Sequence, residues 1–120
     1  MRGTCSKGRS ALESEINLTG SPDQVEWALR IRLTVALEFD RVAKVFQAQL
    51  RIQTAQKQAE TRAIISILEE KGCETLANGQ AGYFIRDWQE PGDQLRQMIA
   101  KDSRYLAIRD QRNARRRATI

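Results

Sequence analysis

From Asp23 to Lys71 the chain contains neither glycine nor proline, and so long a run without a breaker restricts this part of the fold to helices. The start of the run is written in four residues. Ser21 sits where its hydroxyl accepts the N–H of Gln24, and Gln24 reaches back to the N–H of Ser21, the reciprocal arrangement of a capping box. Pro22 falls on the first helical position, where a missing N–H is no loss. Asp23 puts negative charge on the positive end of the helix dipole. Behind this start Val25, Ala28, Ile31, Val35, Phe39, Val42, Phe46 and Leu50 recur at threes and fours, one apolar stripe with a period of about 3.6 residues. Glu26, Arg30, Glu38, Arg41 and Lys44 occupy the polar side. Trp27, Leu29, Leu33 and Leu37 broaden the stripe, which predicts packing on more than one side.

The pattern weakens after Ile52. Between Gln53 and Arg62 only Ala55 and Ala59 are apolar, and apolarity returns at Ala63, Ile64, Ile65, Ile67 and Leu68. Lys71-Gly72 reads as a helix end, with the glycine in the left-handed cap position. Two architectures follow. One is a continuous helix of about 75 Å at 1.5 Å per residue; the other is a hairpin that turns near residues 50–58. No strong turn residue stands there, which favours the continuous helix. The rest of the chain is too short to cover a helix of that length, so this choice entails self-association. The fold class is therefore all-α, either a small helical bundle or a long-helix protein dimerising through the 22–71 helix.

Residues 1–17 read as a flexible leader, residues 18–108 as a single helical domain and residues 109–120 as a basic tail. Within the domain, residues 73–92 form a connector with turns at Asn78-Gly79, Gly82 and Pro91-Gly92. Tyr83, Phe84 and Trp88 bring three of the seven aromatic side chains into this stretch. The structural reading of this strip is a plug that closes the core against the first helix. The functional reading is an exposed partner-binding patch at Tyr83, Phe84 and Trp88. A last helix is expected from near Asp93, with Asp102-Ser103 as an interruption that starts a second segment.

The net charge of +5 is unevenly placed. Residues 1–100 carry thirteen Lys/Arg and thirteen Asp/Glu, whereas residues 101–120 carry seven Lys/Arg against Asp102 and Asp110. Such asymmetry points to nucleic acid or another acidic surface, and Arg109, Arg112, Arg115, Arg116 and Arg117 are the candidate contacts. On a helix Arg109, Arg112 and Arg116 share a face. The plain alternative is a solvated helix end, where arginine suits the negative pole of the dipole.

The chain has no histidine, which removes His-based acid–base catalysis, the common nucleophile triads and most zinc sites. No glycine-rich phosphate loop follows a strand. Glu69-Glu70 and Glu38-Asp40 fall on helix-surface spacing and read as solvated charge. The expectation is a non-enzymatic protein with no catalytic residues, no metal and no cofactor. Cys5 and Cys73 do not make a disulfide framework, so a reduced cytoplasmic setting is expected. No run approaches the roughly 18–20 apolar residues of a membrane span, and the first residues lack the apolar segment of a signal peptide.

The stretch Leu18-Thr19-Gly20-Ser21-x-x-Gln24-Val25-x-Trp27-Ala28-x-x-Ile31-Arg32 resembles the opening of uncharacterised small helical proteins carried by bacterial phages, plasmids and integrated elements. Those open with L-T-G-S/T, two free positions, Q-I/V, W-A and I-R, and an aromatic strip precedes their final helix. Tyr83-Phe84-Ile85 stands in the place of that strip. The resemblance implies a mobile-element accessory protein, and the small proteins of such elements often act by stoichiometric binding against host systems, including CRISPR and restriction complexes. The leading expectation is thus a non-enzymatic inhibitor that obstructs a host protein or nucleoprotein complex. The second is a nucleic-acid-binding protein that places its C-terminal arginines on phosphates. The third is a structural homo-oligomer.

Overall fold

The computed structural model describes residues 18–119, so the expected leader at 1–17 lies outside the described residues. Five α-helices follow one another: α1 Pro22–Gln49, α2 Ala55–Leu76, α3 Ala81–Asp87, α4 Pro91–Ala100 and α5 Ser103–Thr119. Among the described residues the β structure amounts to an isolated parallel bridge between Thr19 and Gln80. The protein is all-α, as its periodicity requires, and it is the bundle rather than the long helix.

The capping box at the start of α1 is present in full. The Ser21 hydroxyl accepts from the Gln24 N–H at 3.2 Å, and the Ser21 N–H donates to Gln24 Oε1 at 3.0 Å. Gly20 just before it has φ +155°, and a Cβ there would lie 3.1 Å from the Ala81 Cβ. Glycine is required at this point because the entry strand passes so close to α3: the Thr19 N–H donates to the Gly79 carbonyl at 2.8 Å and the Ala81 N–H to the Thr19 carbonyl at 3.0 Å.

The 22–71 segment is not one helix. It turns back through a 3₁₀ segment, Leu50–Ile52, and an extended Gln53 at φ −100°, ψ 154°. Polar side chains do the work that glycine or proline would usually do. Thr54 caps α2 by accepting from the Lys57 N–H, Gln58 Nε2 donates to the Leu50 carbonyl at 2.6 Å, and Thr61 Oγ1 donates to Gln53 Oε1 at 2.8 Å. The weak apolar content of 53–62 is the signature of this turn.

The expected stop at Gly72 is also displaced, because α2 continues to Leu76. Gly72 is buried within the helix, and a Cβ added to it would lie 3.2 Å from Cγ and Cδ1 of Phe39. The missing side chain lets the Phe39 ring of α1 lie on the α2 backbone. The two helices therefore pack antiparallel and close. Val35, Phe39, Ile64 and Leu68 form the centre of their shared core.

Near the other end of the hairpin, Arg32 is buried at 8% exposure and donates twice, from Nε at 3.2 Å and Nη2 at 3.0 Å, to the Leu76 carbonyl in the last turn of α2. A guanidinium there satisfies a helix-end carbonyl and meets the negative pole of the dipole. Burial pushes its pKa below the usual arginine value. Short α3 closes this end of the core, and α4 lies against α1. Pro91 is the first residue of α4, not part of a turn before it, and Asp93 lies in the first turn of the helix.

Arg32→Ala removes both donations and leaves the Leu76 carbonyl without this partner. It is expected to lower the unfolding free energy by about 2 kcal/mol. Arg32→Lys should recover little of that loss, because an ammonium cannot reproduce the planar fork. Urea unfolding followed by circular dichroism checks both.

Candidate functional site

The aromatic strip is the first candidate. On α3 and its C-terminal cap, Phe84 is fully buried and Trp88 is 2% exposed. Trp88 meets Phe39 of α1 with ring centroids 6.0 Å apart, and Tyr83 packs edge-on to Phe84 at 5.1 Å. Phe84 and Trp88 are therefore core, and the expectation that they bind a partner is corrected. A seven-residue helix can shield the end of the hairpin only by giving its large side chains to the interior. Tyr83 remains half-buried at the edge.

The arginines are the second candidate. Residues 109–119 are not a separate tail but the continuation of α5, which runs antiparallel along α2. Two clusters pin it there. At the start of α5, Asp102 accepts from the Arg104 N–H at 2.8 Å and from the Arg104 guanidinium at 2.9 Å, and Lys71 Nζ lies 3.4 Å away. Arg104 also forks onto Glu70 of α2 at 3.1 and 3.2 Å. The Arg104 side chain, opposed by burial and supported by its own N–H and by Lys71, holds the Asp102 carboxyl well below the usual carboxylate range.

Further along, Glu60 of α2 receives Arg112 Nε at 2.7 Å and Arg115 Nη1 at 2.8 Å, with only 11% of its side chain exposed. Arg115 first, then Arg112, hold its pKa at about 2 against the opposing effect of burial. Arg112 also donates to Thr61 Oγ1 at 3.1 Å. Two of the five expected contact arginines are thus engaged inside the fold. Arg109 pairs with its neighbour Asp110 at 3.2 Å. Arg116 and Arg117 are exposed and form no ion pair among the described residues.

Two further surfaces are the exposed face of α1, itself a candidate contact from the sequence, and a groove beside it. Leu29, Leu33 and Leu37 of α1 are 42–50% exposed, four residues apart, on the side of the helix away from Val35 and Phe39. Trp27 and Val45 add exposed apolar area elsewhere on the same helix. The sequence predicts packing on more than one side of this helix, and the three leucines remain exposed on the second side. The second surface is a groove of about 630 Å³ between α1, α4 and the start of α5. Val42, Phe46, Leu95, Ile99 and Tyr105 give it an apolar floor. On its rim Glu38 pairs with Arg41, and Asp93 with Arg96. The Arg41 hydrogen bond lowers the Glu38 pKa against burial, with Arg41 and Arg96 charges assisting.

Among the described residues no set of three or more Cys, Asp or Glu is arranged to hold a metal ion. No buried side-chain nitrogen or oxygen among them lacks a hydrogen-bond partner. Cys73 on α2 is disulfide-bonded, which corrects the expectation of two reduced thiols; Cys5 lies outside the described residues. No helix among them is long and apolar enough to cross a membrane.

No protein-family model, curated protein or solved structure matches this chain.

Because the folded Glu60 pKa is depressed, its ion pairs stabilise the fold fully above about pH 4.5 and progressively less as the pH falls toward 2. Glu60→Gln is therefore expected to lower the urea midpoint at pH 7, and the gap between variant and parent should close as the pH approaches 2. A series of urea melts across that range reads the effect.

Proposed function

We propose that this chain is a non-enzymatic binding protein that docks a protein partner on the Leu29-Leu33-Leu37 ridge of α1. The observation that carries the reading is the exposure of three leucines in register on a helix whose opposite face already fills the core. A folded domain gains nothing from holding such a row in water, whereas a partner's apolar groove covers it at i, i+4 and i+8. The ion pair Glu26–Arg30 at 3.1 Å and the pair Lys44–Asp40 at 3.0 Å lie beside the row, which gives it the polar rim usual around a docking patch.

The partner proposed is a host protein or nucleoprotein complex in the cytoplasm of a bacterium, obstructed by stoichiometric binding. That choice follows the resemblance of residues 18–32 to the opening of mobile-element proteins.

A variant carrying both Leu33→Asp and Leu37→Asp tests the reading. Both positions face solvent, so its unfolding free energy should stay within about 0.5 kcal/mol of the parent. The parent, immobilised and exposed to bacterial lysate, is expected to retain a defined partner at a fixed stoichiometry, and the double variant to lose it. Equal retention by both proteins would remove the ridge as the site. If the purified parent sediments as a dimer and the variant as a monomer, the ridge joins two copies and the homo-oligomer reading takes its place.

A further inference from the structure

The fold collects the positive charge of the chain at one end. Because Arg112 and Arg115 are both held on Glu60, the last turns of α5 lie beside the first turns of α2. Arg116 and Arg117 follow Arg115 directly, and Thr54, which caps α2, is only about 9 Å from Glu60 along the helix at 1.5 Å per residue. The hairpin turn, the start of α2 and the end of α5 thus share one pole of a molecule 58 Å long and 24 Å wide. Residues 45–63 and 109–118 hold eight Lys/Arg against Glu60 and Asp110, whereas residues 18–44 and 64–108 hold nine Lys/Arg against eleven Asp/Glu. The two acids of the pole are already paired with arginines. Arg51, Lys57, Arg116 and Arg117 are exposed there and form no ion pair among the described residues.

From this placement we propose a second interaction surface, distinct from the α1 ridge, that binds the phosphate backbone of nucleic acid through Arg51, Lys57, Arg116 and Arg117. Three of the four are guanidinium groups, whose planar fork matches two oxygens of one phosphate. The positive end of the α2 dipole adds to the same field. The four cations are assigned to phosphates and not to base edges, so the recognition proposed is of charge and not of sequence. An anionic bilayer is the weaker fit. Ile52, at 86% exposure, is the apolar side chain offered at the tip, and it is much smaller than an acyl chain, which alone anchors a protein only marginally. The arginines foreseen as a phosphate-binding tail divide accordingly: Arg112 and Arg115 build the pole, Arg116 and Arg117 belong to its contact surface, and Arg51 and Lys57 join them from the hairpin.

The test uses the full chain with a fluorescent mixed-sequence DNA duplex and a single-stranded RNA over a salt series. Four phosphate contacts predict a slope of log K against log salt of about −3.5 on duplex, so affinity should fall about a hundredfold between 50 and 200 mM salt. Arg51→Ala with Lys57→Ala, and Arg116→Ala with Arg117→Ala, should each reduce the slope by about 2, and the four changes together should abolish binding. These side chains make no ion pairs among the described residues, and circular dichroism checks that each variant is folded. Lys101→Ala, an exposed cation outside the pole, and Ile52→Ser, which removes the apolar side chain without adding charge, should leave binding to nucleic acid nearly unchanged. Absence of binding to either probe at 50 mM salt overturns the proposal. So does undiminished binding by the fourfold variant, or equal affinity for poly-glutamate. Binding to phosphatidylserine vesicles that depends on Ile52, without binding to nucleic acid, assigns the pole to a bilayer surface and likewise overturns it.

Discussion

The close approach of α1 to α2 at Gly72 is the constraint on which the remaining structure depends. With no Cβ at that position, the Phe39 ring rests on the α2 backbone, and the two longest helices form one antiparallel layer. Everything else is placed relative to that layer. Trp88 meets the same Phe39 ring, tilted at 52° to it. Arg32 reaches the final turn of α2 because the hairpin brings Leu76 back to the first half of α1. Dispersion and apolar burial supply the stability of such a core, while the polar contacts set the register.

The second organising feature is electrostatic. Helix α5 is poor in apolar residues after Ile108, so packing alone would leave its end to fray. Glu60 prevents this by accepting two arginines in a setting largely shielded from water. Ion pairs of this kind are strong only where geometry and partial burial combine, unlike the exposed pairs along α1. The same arrangement that fastens α5 also concentrates charge. Once Arg112 and Arg115 are turned inward, the neighbouring cations are carried to the hairpin turn, and a tail that reads as uniformly basic becomes part structure and part surface.

The sequence made some of this legible and not the rest, for identifiable reasons. The α1 start was complete in Ser21, Pro22, Asp23 and Gln24 because capping is a local interaction among residues three apart. The interruption at Asp102-Ser103 was visible for the same reason. The hairpin turn near residues 50–58 is one of the two architectures that the sequence allows, and it is the less favoured one because Gln53, Thr54, Gln58 and Thr61 close it through side-chain bonds that span up to eight residues, without glycine or proline to mark it. Gly72 was read as a stop, yet it is a packing position, and only the position of Phe39 distinguishes the two. The role of Glu60 depends on contacts more than fifty residues away, which no local pattern reports. Leu29, Leu33 and Leu37 mark a second apolar side of α1 in the sequence, but periodicity alone gives a face and not what covers it.

The account that emerges is a helical hairpin braced by three shorter helices, with an apolar row on α1 and a basic pole at the turn. A protein surface on the first and phosphates on the second would suit a nucleoprotein target. The most direct test of the central claim is a photo-crosslinking residue placed at position 33 and, separately, at position 66, where Ser66 is exposed on α2. In bacterial lysate the account predicts one defined crosslinked protein from position 33 and none from position 66. Matching products from the two positions, or none from position 33, would contradict it.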